Sequence, residues 1–234
     1  MKIVVWNEAV GQIDNPEVTA VYPQGLNPAI AQFLSSEKDF DIVQATLADP
    51  ECGLPEELME DTDVLIWWGH MAHALVSDEV VKRVCDHVLK GMGIIFLHSA
   101  HMAKPFMALM GTPCTLSWSE GDFYERLYTV DPTHPIAAGV PLDFRIPQEE
   151  LYTEPFDIPV PDRLVFIGGF SNGAVFRSGC CYKRGYGNVF YFQPGHETSP
   201  TYHLPEVQRI LVNAVRWAYS PVRRQELTCP HIKG

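Results

Sequence analysis

Three stretches of this chain carry no polar side chain, and they limit its fold more than any other feature. They are residues 3–6 (Ile-Val-Val-Trp), 64–68 (Val-Leu-Ile-Trp-Trp) and 93–97 (Gly-Ile-Ile-Phe-Leu). A strand with one wet face alternates apolar with polar. A run that is apolar throughout is buried on both faces, as in the centre of a parallel sheet. Helical periodicity lies between the runs. Residues 77–89 predict a helix capped by Ser77, with Asp78 and Glu79 favouring its dipole in the first turn. Val80, Val81, Val84 and Val88 form its apolar stripe, and Gly91 and Gly93 end it. Residues 27–35 predict another, with Asn27 as cap and Pro28 in the first turn, while residues 41–47 alternate as a further strand. Strands and helices in this order argue for βαβ units and a three-layer α/β fold, a mostly parallel sheet flanked by helices.

Beyond residue 112 the pattern changes. Short strands are expected at 125–130, 164–167, 174–176 and 188–192, separated by Pro and Gly loops, either extending the sheet or forming an antiparallel flap. Residues 205–219 close the pattern as a helix with Val207, Ile210, Leu211, Ala214 and Ala218 on one face. No repeat or linker divides the chain, so residues 1–220 read as one domain and residues 221–234 as a C-terminal tail.

Charge removes several function classes. The 234 residues hold 29 acids against 17 bases, a formal net charge of −12 with no basic stripe, so neither nucleic acid nor an anionic membrane is an expected partner. No stretch approaches the ~18 uninterrupted apolar residues a membrane span needs. The six cysteines show no C-x-x-C spacing, and adjacent Cys180 and Cys181 would point to opposite faces of a strand. Reduced thiols in a cytoplasmic protein are the expectation.

In a parallel α/β sheet, ligands bind where the carboxyl ends of the strands release their loops. The first strand releases Asn7-Glu8; the third, Gly69-His70, with His73 behind it; the fourth, His98-Ser99-Ala100-His101; and the late strand, Gln193-Pro194-Gly195-His196-Glu197. Four strand ends thus deliver mostly titratable groups to one edge. Residues 93–100 also have the strand-then-small-residue form of a nucleophile elbow. Together with Asp63-Val64-Leu65-Ile66-Trp67-Trp68-Gly69-His70, Thr133-His134-Pro135-Ile136-Ala137-Ala138-Gly139 and Tyr191-Phe192-Gln193-Pro194-Gly195-His196-Glu197, they resemble the ThuA-like (trehalose utilisation) family over roughly residues 2–219. The resemblance implies the class I glutamine amidotransferase-like, flavodoxin-like fold and a role in the catabolism of trehalose and related sugars.

Amidotransferase chemistry needs a thiolate at the elbow, activated by a His–Glu pair. Here the elbow holds His98 and Ser99, with no cysteine, so the chain is not expected to be a glutamine amidotransferase. His70, His98 and His196 leave three strands and have the residue type of a catalytic zinc site, which keeps a fourth position open. The leading expectation is a metal-assisted isomerase, epimerase or hydrolase acting on trehalose, a related disaccharide or a keto-sugar. Divalent metal, zinc by preference, would be held by His70, His98 and His196. Glu8, His98, His101 and Glu197 are the candidate acid–base groups. Trp68, Ser99, His134, Tyr152 and Glu154 are candidates for sugar contact, since aromatic faces pack on pyranose rings. Trp118, Tyr124, Phe156 and Tyr202 lie near the same loops. Two other readings stand beside this one: a non-catalytic sugar- or partner-binding protein, and a hydrolase using Ser99 with His196 and Glu197. A homo-oligomer is compatible with every reading.

Overall fold

A computed structural model describes residues 1–229 and 231 of the chain. In chain order the strands and α-helices are β1 (Lys2–Asn7), α1 (Pro16–Val21), α2 (Leu26–Leu34), β2 (Asp41–Thr46), α3 (Glu56–Asp61), β3 (Val64–Trp68), α4 (Asp78–Lys90), β4 (Gly93–Leu97) and α5 (Lys104–Met110). There follow β5 (Ser117–Ser119), β6 (Glu125–Thr129), β7 (Asp143–Ile146), β8 (Leu151–Thr153), β9 (Arg163–Phe170), β10 (Val175–Arg184), β11 (Gly187–Phe192) and α6 (Pro205–Ala218). Nine strands form one sheet in the order β2-β1-β3-β4-β11-β10-β9-β6-β7, and β5 pairs with β8 in a separate two-stranded flap. The pairs from β2 to β11 are parallel. Those from β11 to β7 are antiparallel, so the late strands extend the expected parallel core.

The three apolar runs are central strands, and successive side chains enter opposite layers. Val4, Trp6, Leu65, Trp67, Ile94 and Phe96 pack with Met59 of α3, Val80, Val84 and Val88 of α4, and Phe106 of α5. Ile3, Val5, Val64, Ile66, Trp68, Ile95 and Leu97 pack with Leu26, Ile30 and Leu34 of α2 and with the apolar stripe of α6. Each such side chain contributes ~1.5–3 kcal/mol on burial, and truncating Ile66 to Ala would cost ~2–5 kcal/mol. Cys180 and Cys181 fall into opposite layers, as the strand alternation requires, and all six cysteines are free.

Ser77 caps α4 through its hydroxyl, which accepts the Val80 amide proton. Asn27 is not a cap: α2 begins after Gly25, and the Asn27 amide instead donates to the carbonyls of Val5 (3.3 Å) and Ala45 (2.9 Å), tying β1 to β2. The helices α1, α3 and α5 lay outside the sequence expectation, and the strand expected at 174–176 runs on to Arg184 across a bulge at 176–179. The tail expected from residue 221 is anchored where it begins. The Arg224 amide donates to the Lys90 carbonyl at 2.8 Å, and the Arg223 guanidinium donates to the Thr62 carbonyl. Residues 230 and 232–234 of that tail lie outside the described residues. Among the described residues, no helix is long and apolar enough to cross a membrane.

Candidate functional site at the carboxyl edge of the sheet

Strand β4 ends at Leu97, and the turn that follows places His98 at φ 52°. A non-glycine residue in the left-handed region costs ~1–3 kcal/mol, so the surrounding structure must impose it. The elbow position is therefore held by His98 rather than Ser99. The His98 ring is fully buried, and both Trp68 (ring centroids 6.4 Å apart) and Tyr152 (5.2 Å) stack on it. Its Nδ1–H donates to the Gln193 carbonyl at 3.0 Å, while its own carbonyl accepts the Tyr191 hydroxyl at 2.9 Å. With the Nδ1 proton committed, Nε2 faces the Glu150 carboxylate at 3.0 Å, and neither atom has a hydrogen bond of ordinary geometry.

Two more imidazoles lie beside it, but His70 and His98, expected to share one ion with His196, fall into separate donor groups. The His70 ring lies 6.0 Å from His98, and the His196 ring lies 5.2 Å from both. His70 donates through Nδ1 to Glu197 at 2.7 Å. The donor atoms of His98, Glu150 and His196 all lie within 4.8 Å of one another, and so do those of His70, His196 and Glu197. His196 belongs to both groups. Burial disfavours the His98 imidazolium, but Glu150, Glu149 and Glu197 overcome it and raise the pKa to about 9. Burial, reinforced by the neighbouring His98 charge, pushes His196 down to about 4. Burial works against the Glu197 carboxylate as well, yet His70 and His196 hold it down at about 2.

The carboxylates that complete this site were missed in the sequence. Glu149 and Glu150 form an acidic pair in a loop, a pattern that ordinarily marks a solvated surface, yet both are buried. Glu149 accepts from the amides of Gly195 (2.8 Å), His196 (3.0 Å) and Glu150 (3.0 Å) and from the Thr201 hydroxyl (2.7 Å). Beneath the site lies Glu125, fully buried at the start of β6 and pushed up to about 8 by burial and by Glu149. It accepts from the Ser178 hydroxyl at 2.8 Å.

The site opens into a cleft with two lobes. One, about 440 Å³, is acidic, lined by Glu17, Glu120, Asp122, Glu149, Glu150 and Glu197 together with His70 and His196. The other, about 500 Å³, is lined by Ser99, His101, Met102, Leu116, Trp118 and Tyr152. His70, Met71, Glu120 and Glu150 belong to both. Both volumes fall in the ~300–1,000 Å³ range of small-molecule sites.

Most of the residues expected at the site meet here: His70, His98, Ser99, His101, Tyr152, His196 and Glu197. Four others do different work. Both Glu8 oxygens accept backbone amides, from Met71 at 2.7 Å and Ala72 at 3.0 Å, so this carboxylate shapes the loop after β3 instead of facing a ligand. Trp68 is 1 % exposed and donates to the Gly195 carbonyl at 3.0 Å, which makes it a support for His98 and leaves no face for a sugar. Glu154 is held by Arg177 at 2.7 and 2.9 Å and accepts the Phe156 amide at 2.7 Å. His134 lies at the opposite edge of the sheet, 5.4 Å from the Trp217 ring, and caps a short turn. The loop carrying it follows β6, which runs against the parallel strands and releases its chain at their amino ends.

No curated protein matches the chain in sequence. A ThuA-like protein from Parabacteroides merdae shares the fold with a TM-score of 0.68 at 16 % identity, over 97 % of this chain and 92 % of that one. A cytoplasmic protein from Salmonella typhimurium has a TM-score of 0.62 at 13 % identity, over 96 % of this chain and 100 % of that one. PurLQS from Thermotoga maritima has a TM-score of 0.54 at 13 % identity, over 92 % and 98 %. The fold is thus the class I glutamine amidotransferase-like one. The profile of the ThuA family, described as trehalose utilisation, matches residues 2–218. With that match spanning nearly the whole domain, the chain belongs to the ThuA family.

Proposed function

We propose that this protein is an enzyme of sugar metabolism that works with one divalent metal ion, zinc by preference, on a sugar or keto-sugar. The observation that carries this reading is the buried meeting of His98 Nε2, Glu150 and His196, with donor atoms within 4.8 Å. The donor set fits such an ion. His98 Nε2 and Glu150 Oε2 are buried facing each other at 3.0 Å with no other partner, and imidazole nitrogen and carboxylate oxygen are both donor types that zinc takes. The Gln193 carbonyl holds the His98 Nδ1–H, so the proton between Nε2 and Glu150 is the one an ion would displace, with Nδ1 anchored as it is behind metal-bound imidazoles. The family's link to trehalose utilisation supports a sugar as the substrate.

A bound divalent ion would supply Lewis-acid polarisation of a carbonyl or hydroxyl oxygen. The rest is done by the chain. Glu197, held as a carboxylate by the His70 Nδ1–H, orients the His70 ring so that its Nε2 can take a proton from a sugar hydroxyl and return it, the carboxylate staying ionised throughout. The neutral His101, whose Nδ1–H is fixed on the Cys114 carbonyl at 2.8 Å, presents Nε2 as an acceptor to a sugar hydroxyl. Isomerisation, epimerisation and hydrolysis all use these parts. A Ser99 nucleophile is disfavoured because the elbow conformation belongs to His98 and the Ser99 hydroxyl has no base bonded to it.

The test is metal content and affinity. Protein purified without chelator or affinity-tag metal should carry, or take up, one zinc per chain. His98→Ala and Glu150→Gln should each weaken zinc binding at least 100-fold, while Glu17→Gln should leave it unchanged. Because His98 is protonated near neutral pH, zinc uptake at pH 7.5 should release about one proton, read by calorimetry in two buffers. Absence of zinc, manganese or magnesium binding in the folded protein would sink the reading.

A further inference from the structure

The proposed metal residues leave half of the cleft unused. The lobe of about 500 Å³ beyond Tyr152 has Trp118 on its wall, 61 % exposed. Trp118 stands directly opposite Tyr152 in the β5–β8 flap, so both aromatic side chains project from the same face of that ribbon. Tyr152 is buried against His98, which ties the exposed indole to the histidine of the elbow. Met71 and Met102, also exposed, line the same lobe, so the indole is part of a contiguous apolar rim instead of a single exposed ring.

Deeper in the same lobe, Ser99 is only 5 % exposed, with its hydroxyl beside that of Tyr152. Beside it, His101 keeps its proton on Nδ1 and is held neutral by burial, leaving Nε2 as an acceptor. A flat apolar platform with a hydroxyl and an imidazole acceptor matches a pyranose, whose C–H face stacks on an indole while its hydroxyls bond to the polar groups.

We propose that this lobe is a second sugar-ring subsite, and that Trp118 is the residue that selects a two-ring glycoside over a monosaccharide. This rests on the reading of the cleft as a sugar site and adds which part of it sees which part of the substrate. His70 and Glu150 belong to both lobes, so a glycoside lying across the cleft sets its linkage beside them, one ring in the acidic lobe and the other on Trp118.

The experiment is titration calorimetry of the wild type, Trp118→Ala and Trp118→Phe with trehalose, maltose, cellobiose and glucose, with zinc stoichiometry measured on the same samples. At least one disaccharide should bind the wild type tenfold or more tightly than glucose. Trp118→Ala should bring that disaccharide to within about twofold of glucose, leaving glucose and zinc affinity within twofold of wild type, and Trp118→Phe should keep most of the preference. The indole is exposed, so both variants should fold, as a thermal melt would verify. Failure of every disaccharide to bind, equal binding of glucose, or an unchanged preference in Trp118→Ala would overturn the proposal. So would a dimer that dissociates in Trp118→Ala with its sugar preference intact, because the indole would then face another copy of the chain. A disaccharide preference in protein that takes up no metal would leave the subsite standing and remove only the metal reading.

Discussion

Replacing Glu150 by Gln should change how the metal-free protein responds to pH, and the structure sets both sign and size. His98 is fully buried, which by itself disfavours its charged form, yet the carboxylates around it, Glu150 first among them, raise its pKa to about 9. In the unfolded chain the same ring titrates near ~6.5. Below pH 6.5 both states bind the proton and the stabilisation is fully present. Between pH 6.5 and about 9 the unfolded chain loses the proton while the folded protein keeps it, so stability falls as pH rises. A separation of about 2.5 pH units corresponds to about 3 kcal/mol, since each unit is worth ~1.4 kcal/mol. Urea unfolding in chelator, at half-unit steps from pH 6 to 9.5, should show this decline in the wild type. In Glu150→Gln the neutral amide no longer supports the imidazolium and the His98 pKa drops, so the decline above pH 8 should vanish, while below pH 8 Glu125, itself pushed up to about 8, adds a decline of the same sign in both proteins. Nitrogen-15 NMR of the imidazole should place the His98 titration in each protein. A flat wild-type profile above pH 8, or an equal slope there in the variant, would refute the assignment of a His98–Glu150 ion pair.

Two further outcomes are expected. Gly195→Ala should cost ~2 kcal/mol or more, because Gly195 sits at φ +135° and an added Cβ would stand 2.1 Å from the Tyr202 hydroxyl; Gly173→Ala, with nothing within 4 Å, should cost only the ~1–2 kcal/mol of its backbone conformation, both read from urea midpoints. Alkylation by iodoacetamide at pH 7.5, followed by intact mass, should modify exposed Cys229 first and spare Cys180 and Cys181, whose burial pushes their thiols up; rapid loss of zinc binding through modification of a buried cysteine would contradict the absence of a functional thiol.

The parallel half of the sheet was legible because its strands are buried on both faces, and burial on both faces writes an unbroken apolar run. Once those strands were placed, His70, His98 and His196 followed, since each lies close behind a strand end. The helices α1, α3 and α5 span six or seven residues, too few for a 3.6-residue period to declare itself. The flap strands are three residues each and are defined by each other alone. Glu149 and Glu150 stayed hidden for another reason. An acidic pair is buried only if donors elsewhere in the chain come to meet it, and Gly195, His196 and Thr201 are more than forty residues away. For His134, next to Pro135, the sequence fitted a structural turn as well as a sugar contact, and the structure has it capping a turn at the far end of β6.

Glu149 and Glu150 are consecutive but serve different ends. Glu149 grips the backbone of the loop that carries His196, whereas Glu150 turns toward His98. A peptide unit therefore couples a ligand-facing carboxylate to the strap that positions an imidazole on the other side of the cleft. A shift of the backbone at Glu150 would reach Glu149 and, through the hydrogen bonds that Glu149 accepts, the His196 loop. The two walls of the cleft are in this sense joined through a single peptide unit.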